Sequence, residues 1–463
     1  MLEILLTALV CGGVYLWSAS GRAPGRFANL SVDLRREHLA LALIILSSHS
    51  RVARAGAVDT LSNPFALEVV LRGLFVVAAI VVLAPAAMKA VRLATVVRRS
   101  WWGIGSLVVY AAAATLSIVY SPALLQTAGK VIELVALVLL TVHLVSTANP
   151  IRAVRNTLIM LIAIELALLL VSVLGFFLVP SLFAPVLSRP GFFFAGTLEG
   201  PLGSANNTSA TGGMLVAVAL AAWMSAAKDR RSWIWVVMGG AGALAVALAS
   251  GRQGVAIMIG ALALVIAASN RQAFFLILVP AAAAVLLAGA EDIYQILLRD
   301  QVAGSVRTLT GRTVFWEAAW DAFLKQPLTG YGFGSSRFSV LEGIGADQYT
   351  HVHNGYLEAL VGMGLIGFIP FMVSVARSTW WSTRSLLRGE DVWLAVIMPS
   401  MLVQNMLGQG FGGWLNTNLM LFALVVAYAD LRLTTPAGDV AFEIDVTRFR
   451  RSRSRRFPQP AIR

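Results

Sequence analysis

At 463 residues, with 58% hydrophobic and 13% charged side chains and a mean hydropathy of +0.78, the chain carries more apolar surface than a water-soluble fold can bury. This composition excludes a soluble domain and implies an all-α, polytopic integral membrane protein. A net charge of +13 would point to nucleic acid in a soluble chain, but here it reads as arginine-rich cytoplasmic loops with no nucleic-acid partner; the single cysteine, Cys11, leaves no internal disulfide and no cysteine-rich zinc site.

Apolar stretches long enough to cross a bilayer fall near 1–19, 64–84, 102–120, 124–147, 157–178 and 205–226, then near 234–249, 253–269, 273–290, 353–376, 392–409 and 414–432. They predict about 12 transmembrane helices, with 38–48 a short further candidate. Residues 1–19 lack a basic leading region and a cleavage site, so they read as a retained helix and not a signal peptide. Lys89 and Arg92, Arg152 and Arg155, Arg230 and Arg231, and Arg384 and Arg388 occupy loops of one parity, which makes those loops cytoplasmic. The loops near 179–204, 250–252, 291–352 and 410–413 then face the periplasm, while the side of the N-terminus depends on whether 38–48 spans. Three regions follow: N-terminal helices over 1–150, a membrane region over 151–432 with its periplasmic loop 291–352, and a basic cytoplasmic tail over 433–463. The tail, with Arg450, Arg451, Arg455 and Arg456, suits anionic membrane lipids.

Candidate chemistry collects on the periplasmic face. Arg252 stands in a turn between two apolar segments; it is either a snorkelling turn residue or a functional charge held at membrane depth. The loop 291–352 predicts one or two short helices, one over Thr313–Leu324 capped by Thr313 or Thr310 and stopped before Pro327. It carries three arginines, Arg307, Arg312 and Arg337, which sequence alone does not rank. It ends in His351-Val352-His353-Asn354-Gly355-Tyr356-Leu357-Glu358, two of the chain's 5 histidines in a dense polar cluster at a helix start. A histidine there is either a satisfied polar group or a group that moves a proton near neutral pH.

The C-terminal half resembles the O-antigen ligase and polysaccharide polymerase superfamily of bacterial membrane glycosyltransferases. The likeness rests on His353-Asn354 followed after nine residues by Gly364-Leu365-Ile366-Gly367. It rests also on Gly311-Arg312-Thr313-Val314-Phe315-Trp316 and on Pro327-Leu328-Thr329-Gly330-Tyr331-Gly332. Ser250-Gly251-Arg252 matches a Ser-Arg element with one residue inserted, and Gly203-Ser204-Ala205-Asn206 an earlier Gly-x-x-Asn element; the likeness covers roughly 195–376. It implies transfer of a glycan from an undecaprenyl-diphosphate-linked saccharide to a saccharide or lipid A–core acceptor at the periplasmic side of the bacterial inner membrane. On that reading Arg252 and Arg312 hold the diphosphate and His353 activates the acceptor hydroxyl, with His351 a competing histidine. Asn354, Tyr356, Asn206 and Lys130 contact substrate. A metal-independent, inverting reaction without a cofactor is expected, because the loop's carboxylates are scattered and the arginines replace the cation. Polymerisation is favoured over ligation, and the alternative class is a polysaccharide-lipid flippase or other secondary transporter, which calls for repeats and broken helices at mid-membrane.

Other charges invite plainer readings. Glu68 and Arg72, and Lys130 and Glu133, are spaced to pair along their own helices. Glu165 has no local partner and is either protonated or paired across the bundle. Gly362, Gly364 and Gly367 fit close helix packing in lipid.

Overall fold

A computed structural model describes residues 36–49, 67–87, 101–183, 198–199, 204–225, 233–249, 251–268, 312–346, 349, 351–408, 410–413 and 415–435. The expected segments 1–19 and 273–290, the stretch 291–311 with Arg307 and Thr310, Ser250, Gly203 and the tail from 436 lie outside the described residues. Among the described residues every regular element is helical. This follows from composition: a backbone without water must satisfy itself within one segment, and long runs of Leu, Ala and Val do so as helices. Hydroxyls on these helices return to carbonyls one turn back, as Thr141 does to Leu137 at 2.9 Å and Ser172 to Leu168 at 2.8 Å.

The helices are α1 (Arg36–His49), α2 (Leu67–Ala87), α3 (Ser106–Leu116), α4 (Leu124–Val145), α5 (Pro150–Leu178) and α6 (Ala205–Ser225). They continue with α7 (Trp233–Ala249), α8 (Arg252–Ala268), α9 (Arg312–Lys325), α10 (Gly355–Arg388), α11 (Ile397–Leu407) and α12 (Thr417–Thr434). Six helical runs among the described residues are long and apolar enough to cross a membrane: Trp102–Tyr120, Leu124–Val145, Pro150–Leu178, Ala205–Ser225, Gly355–Arg388 and Thr417–Thr434. The 38–48 stretch is the 14-residue α1, which packs on α2 and α4 with Leu41, Ile44 and Ile45 fully buried. α12 forms the middle of the bundle, buried from Leu419 through Leu431, and its Phe422 stacks on Phe411 at 4.2 Å between ring centroids. α6 fits between α7 and α8 on glycines: a Cβ on Gly213 would stand 2.5 Å from the Gly254 carbonyl oxygen.

Two expectations change. The helix begun near 353 runs on to Arg388, and it is broken at Gly364, where φ is 54° and ψ is −165°. The segment 327–332 fills the break with backbone. Leu365 N–H donates to the Pro327 carbonyl at 2.8 Å and Ile366 N–H to Leu328 at 3.1 Å. In return Tyr331 N–H donates to Val361 at 3.0 Å and Gly332 N–H to Gly362 at 2.8 Å. A Cβ on Gly330 would lie 2.4 Å from the Val361 oxygen, and one on Gly364 2.4 Å from the Leu328 carbonyl. The glycine motifs therefore join a loop to a broken helix, and close packing of helix on helix is not their use here.

Pairing along single helices also gives way. Arg72 on α2 makes a two-pronged bond across to Glu133 on α4, while Lys130 reaches the Gly334 carbonyl. A facing helix can offer both carboxylate oxygens to the planar guanidinium, which a neighbour on the same helix does poorly. Glu165 pairs across the bundle, accepting from Thr417 at 2.9 Å.

Candidate active site

The starts of α4, α6, α8, α10 and α12 and the end of α11 lie at one end of the bundle. The Ser209 hydroxyl near the start of α6 donates to the Gly251 carbonyl at 2.8 Å, and Gln253 at the start of α8 donates to the Leu407 carbonyl ending α11. Of the basic residues of common parity, Arg152, Arg155, Arg384 and Arg388 fall at the opposite end, where Arg432 meets Asp391 at 2.9 Å.

The Leu407 carbonyl is the meeting point. Carbonyls in the last turn of a helix lack helical partners and carry the negative end of its dipole, so they attract donors and cations. Arg312 Nη1 at the start of α9 donates to this oxygen, as Gln253 does. Arg312 thus stands beside Arg252, the neighbour of Gln253. Burial pulls the Arg312 guanidinium below its ordinary value, and the positive charge of Arg252 pulls it further. His353 lies next in line: its imidazole falls to about 4, chiefly through burial and then through the charge of Arg312. Arg252, Arg312 and His353, far apart in sequence, form one electrostatic group.

His353 is held in an unusual backbone conformation, with φ at +56°. Histidine, asparagine and aspartate enter this left-handed region more readily than most residues. Three side chains fix the turn. Trp316 Nε1, one turn into α9, donates to the Val352 carbonyl at 3.1 Å. Asn354 caps α10, its Oδ1 accepting from the N–H groups of Tyr356 at 3.0 Å and Leu357 at 3.2 Å. Buried Glu358 accepts from Val352 N–H at 3.4 Å and from the Ser336 hydroxyl at 2.7 Å. The histidine ring stacks on Phe315 with centroids 6.3 Å apart and meets Tyr349 edge-on at 5.9 Å.

The remaining sequence candidates spread around this group. His351 packs against His353 with ring centroids 4.2 Å apart, and its Nδ1 accepts the His353 N–H at 3.1 Å. Tyr356 is half-buried and turns its ring toward Phe371 and Phe411. Asn206 lies in the first turn of α6, one turn before the Ser209 that grips Gly251. Lys130 stands apart, bonded to the Gly334 carbonyl. Asn354 spends its oxygen on the cap, so its part in the site is to set the direction in which α10 leaves His353. α9 covers Arg312–Lys325, one residue longer at each end than expected, and Thr313 lies inside it and does not cap it.

Sequence reasoning missed Gln253, only 4% exposed, and the Leu407 carbonyl that Gln253 shares with Arg312. A buried amide beside an arginine at an apolar helix start was a usable signal for the first; a backbone oxygen leaves none for the second.

Fold and site together define a multi-pass membrane protein with a cationic, histidine-bearing site at one end of its helical bundle. Residues 241–372 match the family described as O-antigen ligase. The chain is also 33% identical over 97 residues to the exopolysaccharide production protein ExoQ of Rhizobium meliloti (strain 1021), a match covering 19% of this chain and 22% of that relative. Both matches support placing the chain in the O-antigen ligase and polysaccharide polymerase superfamily, as the motifs suggested. The family stretch includes Arg252, Arg312 and His353.

Proposed function

We propose that the protein is a glycosyltransferase of the bacterial inner membrane that moves a glycan from undecaprenyl diphosphate to an acceptor hydroxyl on the periplasmic side. The observation that carries this reading is the position of Arg312, which feels the charge of Arg252 on one side and acts on His353 on the other. Two guanidiniums held together repel each other, and a dianion between them removes that cost while gaining charge-assisted, two-pronged hydrogen bonds. The acceptor oxygen attacks the anomeric carbon with inversion and loses its proton to the neutral His353 imidazole. The bond from that carbon to the phosphate oxygen breaks, and its electron pair leaves on the diphosphate, where Arg252 and Arg312 receive the growing charge. The arginines fill the place of a divalent cation, so the reaction is metal-independent and proceeds in the presence of chelator.

A base titrating near 4 is weak for this work, and the same geometry supplies the remedy. Once the diphosphate neutralises Arg312, the charge holding the imidazole down is screened, and His353 becomes more basic when substrate is present. The break in α10 is the feature that would favour a transporter. The bonds from 327–332 already occupy the N–H groups of Leu365 and Ile366 and the carbonyls of Val361 and Gly362. The break therefore serves the fold, without loose backbone to coordinate an ion.

The protein joins lipid-linked repeat units in preference to transferring finished chains to lipid A–core, a reading in line with the exopolysaccharide role in the relative's name. A deletion strain complemented with wild type, Arg312→Ala or His353→Ala, with surface glycans sized on a gel, tests the proposal. Loss of long polymer with single repeat units retained on lipid A–core marks a polymerase. Accumulation of full-length chains on the carrier marks a ligase. A normal pattern from both folded variants would refute the assignment.

A further inference from the structure

Arg337 is a cation that the proposed chemistry leaves unused. It opens a five-residue π-helical turn, Arg337–Leu341, that packs on α9, and π turns recur at functional sites. Only 8% of the residue is exposed, and its Nε and Nη1 are buried without a hydrogen-bond partner. Its guanidinium carbon lies 5.7 Å from the ring centroid of Phe338, next to it in the chain. A buried guanidinium left in that condition is costly and calls for an anion.

The buried carboxylates among the described residues are engaged elsewhere, and Glu317 and Asp321 on α9 and Glu342 just past the π turn are exposed. Glu358 accepts from Ser336 and Val352, Glu133 pairs with Arg72, Glu165 accepts from Thr417, Asp430 pairs with Arg377 and Asp391 with Arg432. The turn leading into Arg337 is nonetheless firmly built. Lys130 bonds the Gly334 carbonyl, Gly334 has φ of +65°, and a Cβ there would lie 2.7 Å from Lys130 Cδ. Ser336, the residue before Arg337, donates to both oxygens of Glu358 at 2.7 Å. A second cation, Lys130, is thus fixed to the same turn.

We propose that Arg337 is the centre of a second anion-binding position that takes a lipid phosphate, distinct from the Arg252–Arg312 pair. The planar guanidinium fork matches phosphate oxygens better than a single-point donor does. Resting on the glycosyl-transfer reading, this deepens it: the occupant is the phosphate of the acceptor lipid, since joining two carrier-linked units brings two diphosphates to one site. The same chemistry would also hold an anionic phospholipid headgroup.

The test uses full-length protein in nanodiscs of phosphatidylcholine, titrated with undecaprenyl diphosphate or prepared with phosphatidylglycerol, with thermal unfolding as the readout. Variants are Arg337→Met, Arg337→Lys and Arg312→Gln. In pure phosphatidylcholine, Arg337→Met should unfold at the wild-type temperature or above it, since a costly unpaired charge is gone. Undecaprenyl diphosphate should raise the midpoint of wild type and of Arg312→Gln. In the Arg312→Gln background, adding Arg337→Met should lower the apparent affinity of the remaining response roughly ten- to a hundredfold, the range for losing a hydrogen bond to a charged group, with Arg337→Lys intermediate. A response to phosphatidylglycerol alone that Arg337→Met abolishes also supports the lipid-phosphate site and names phospholipid as the occupant. Equal ligand responses in wild type and Arg337→Met overturn the proposal. So does destabilisation of Arg337→Met in every disc, which would make the arginine structural. Arg337-dependent binding in a protein whose Arg312→Ala and His353→Ala variants still build normal glycan would leave this site standing and remove the transfer reading.

Discussion

Replacing Arg312 by glutamine probes the electrical link at the centre of the site. The His353 ring titrates at about 4 and not near 6.5, with burial the larger cause and the charge of Arg312 the smaller. That displacement disfavours the imidazolium by about 3 kcal/mol. Because Arg312 supplies the lesser share, removing its charge returns on the order of 1 kcal/mol, a rise of under about one pH unit. Glutamine still offers a donor to the Leu407 carbonyl, so the start of α9 should stay in place. Heteronuclear NMR of ring-labelled histidines measures the effect directly, with His353→Asn used to assign the signal among the chain's 5 histidines. An unchanged titration would mean that Arg312 does not stand beside the ring. A rise all the way to 6.5 would mean that charge, and not burial, holds the ring down, and the account of the site's dryness would fail. Glycan transfer should fall about 10²–10³-fold in the same variant, the usual cost of removing one donor aimed at developing charge.

Three further outcomes are expected. Gly364→Ala places a side chain in a backbone region that is essentially glycine-only and within 2.4 Å of the Leu328 carbonyl, so thermal unfolding should move down by several degrees, for a loss of at least about 2 kcal/mol; an unshifted midpoint would contradict the broken-helix geometry. Trp316→Phe removes the donor to the Val352 carbonyl while keeping an aromatic ring; stability should fall by about 1 kcal/mol and transfer by more than stability alone explains, visible as lower turnover in protein that is fully folded. Stability should also decline as pH is lowered from 6.5 to about 4: the unfolded histidine takes up a proton in that window and the folded one does not, so the loss is complete only below about 4. His353→Gln should flatten that limb by up to about 3 kcal/mol, which melting curves across the pH range would reveal.

Much of this architecture was legible because hydropathy and helix signals are local. The span of α9 was legible within one residue at each end from the stop at Pro327, whereas the cap that Asn354 gives α10 was not anticipated. The break at Gly364 was not legible, since a row of small residues spells tight helix packing in lipid as readily as a helix opened for a loop. The length of α10 was obscured because Trp380, Trp381 and Arg384 lie past the apolar stretch that marks a span, yet the helix continues there, with Arg377 anchored to Asp430 at 3.2 Å. Arg72 with Glu133 needed two helices to be brought face to face, which spacing along one helix does not encode. Within the site, Arg252, Arg312 and His353 were named by residue type and motif. Their convergence depends on a main-chain oxygen at Leu407, and any residue supplies one of those.

The left-handed turn at His353 explains why so many neighbours are fixed around a single residue. A non-glycine residue with φ of +56° costs about 1–3 kcal/mol and persists only where its surroundings leave it no alternative. Here Trp316 holds the carbonyl before it, Glu358 holds the amide before it, and Asn354 fixes the helix after it. Behind these, backbone from 327–332 fills the break in α10, so the helix start cannot relax along its own axis. The strain is therefore maintained by the whole end of the bundle, and the imidazole is aimed before any substrate arrives. That makes side-chain type separable from backbone demand. His353→Asn should abolish transfer while keeping the wild-type unfolding temperature within a few degrees, because asparagine tolerates the left-handed region. His353→Val should abolish transfer and also lose about 1–2 kcal/mol more than the asparagine variant, since a β-branched residue does not. Equal melting temperatures for the two variants would show that the turn relaxes freely, and a base that relaxes freely is not one the fold has positioned.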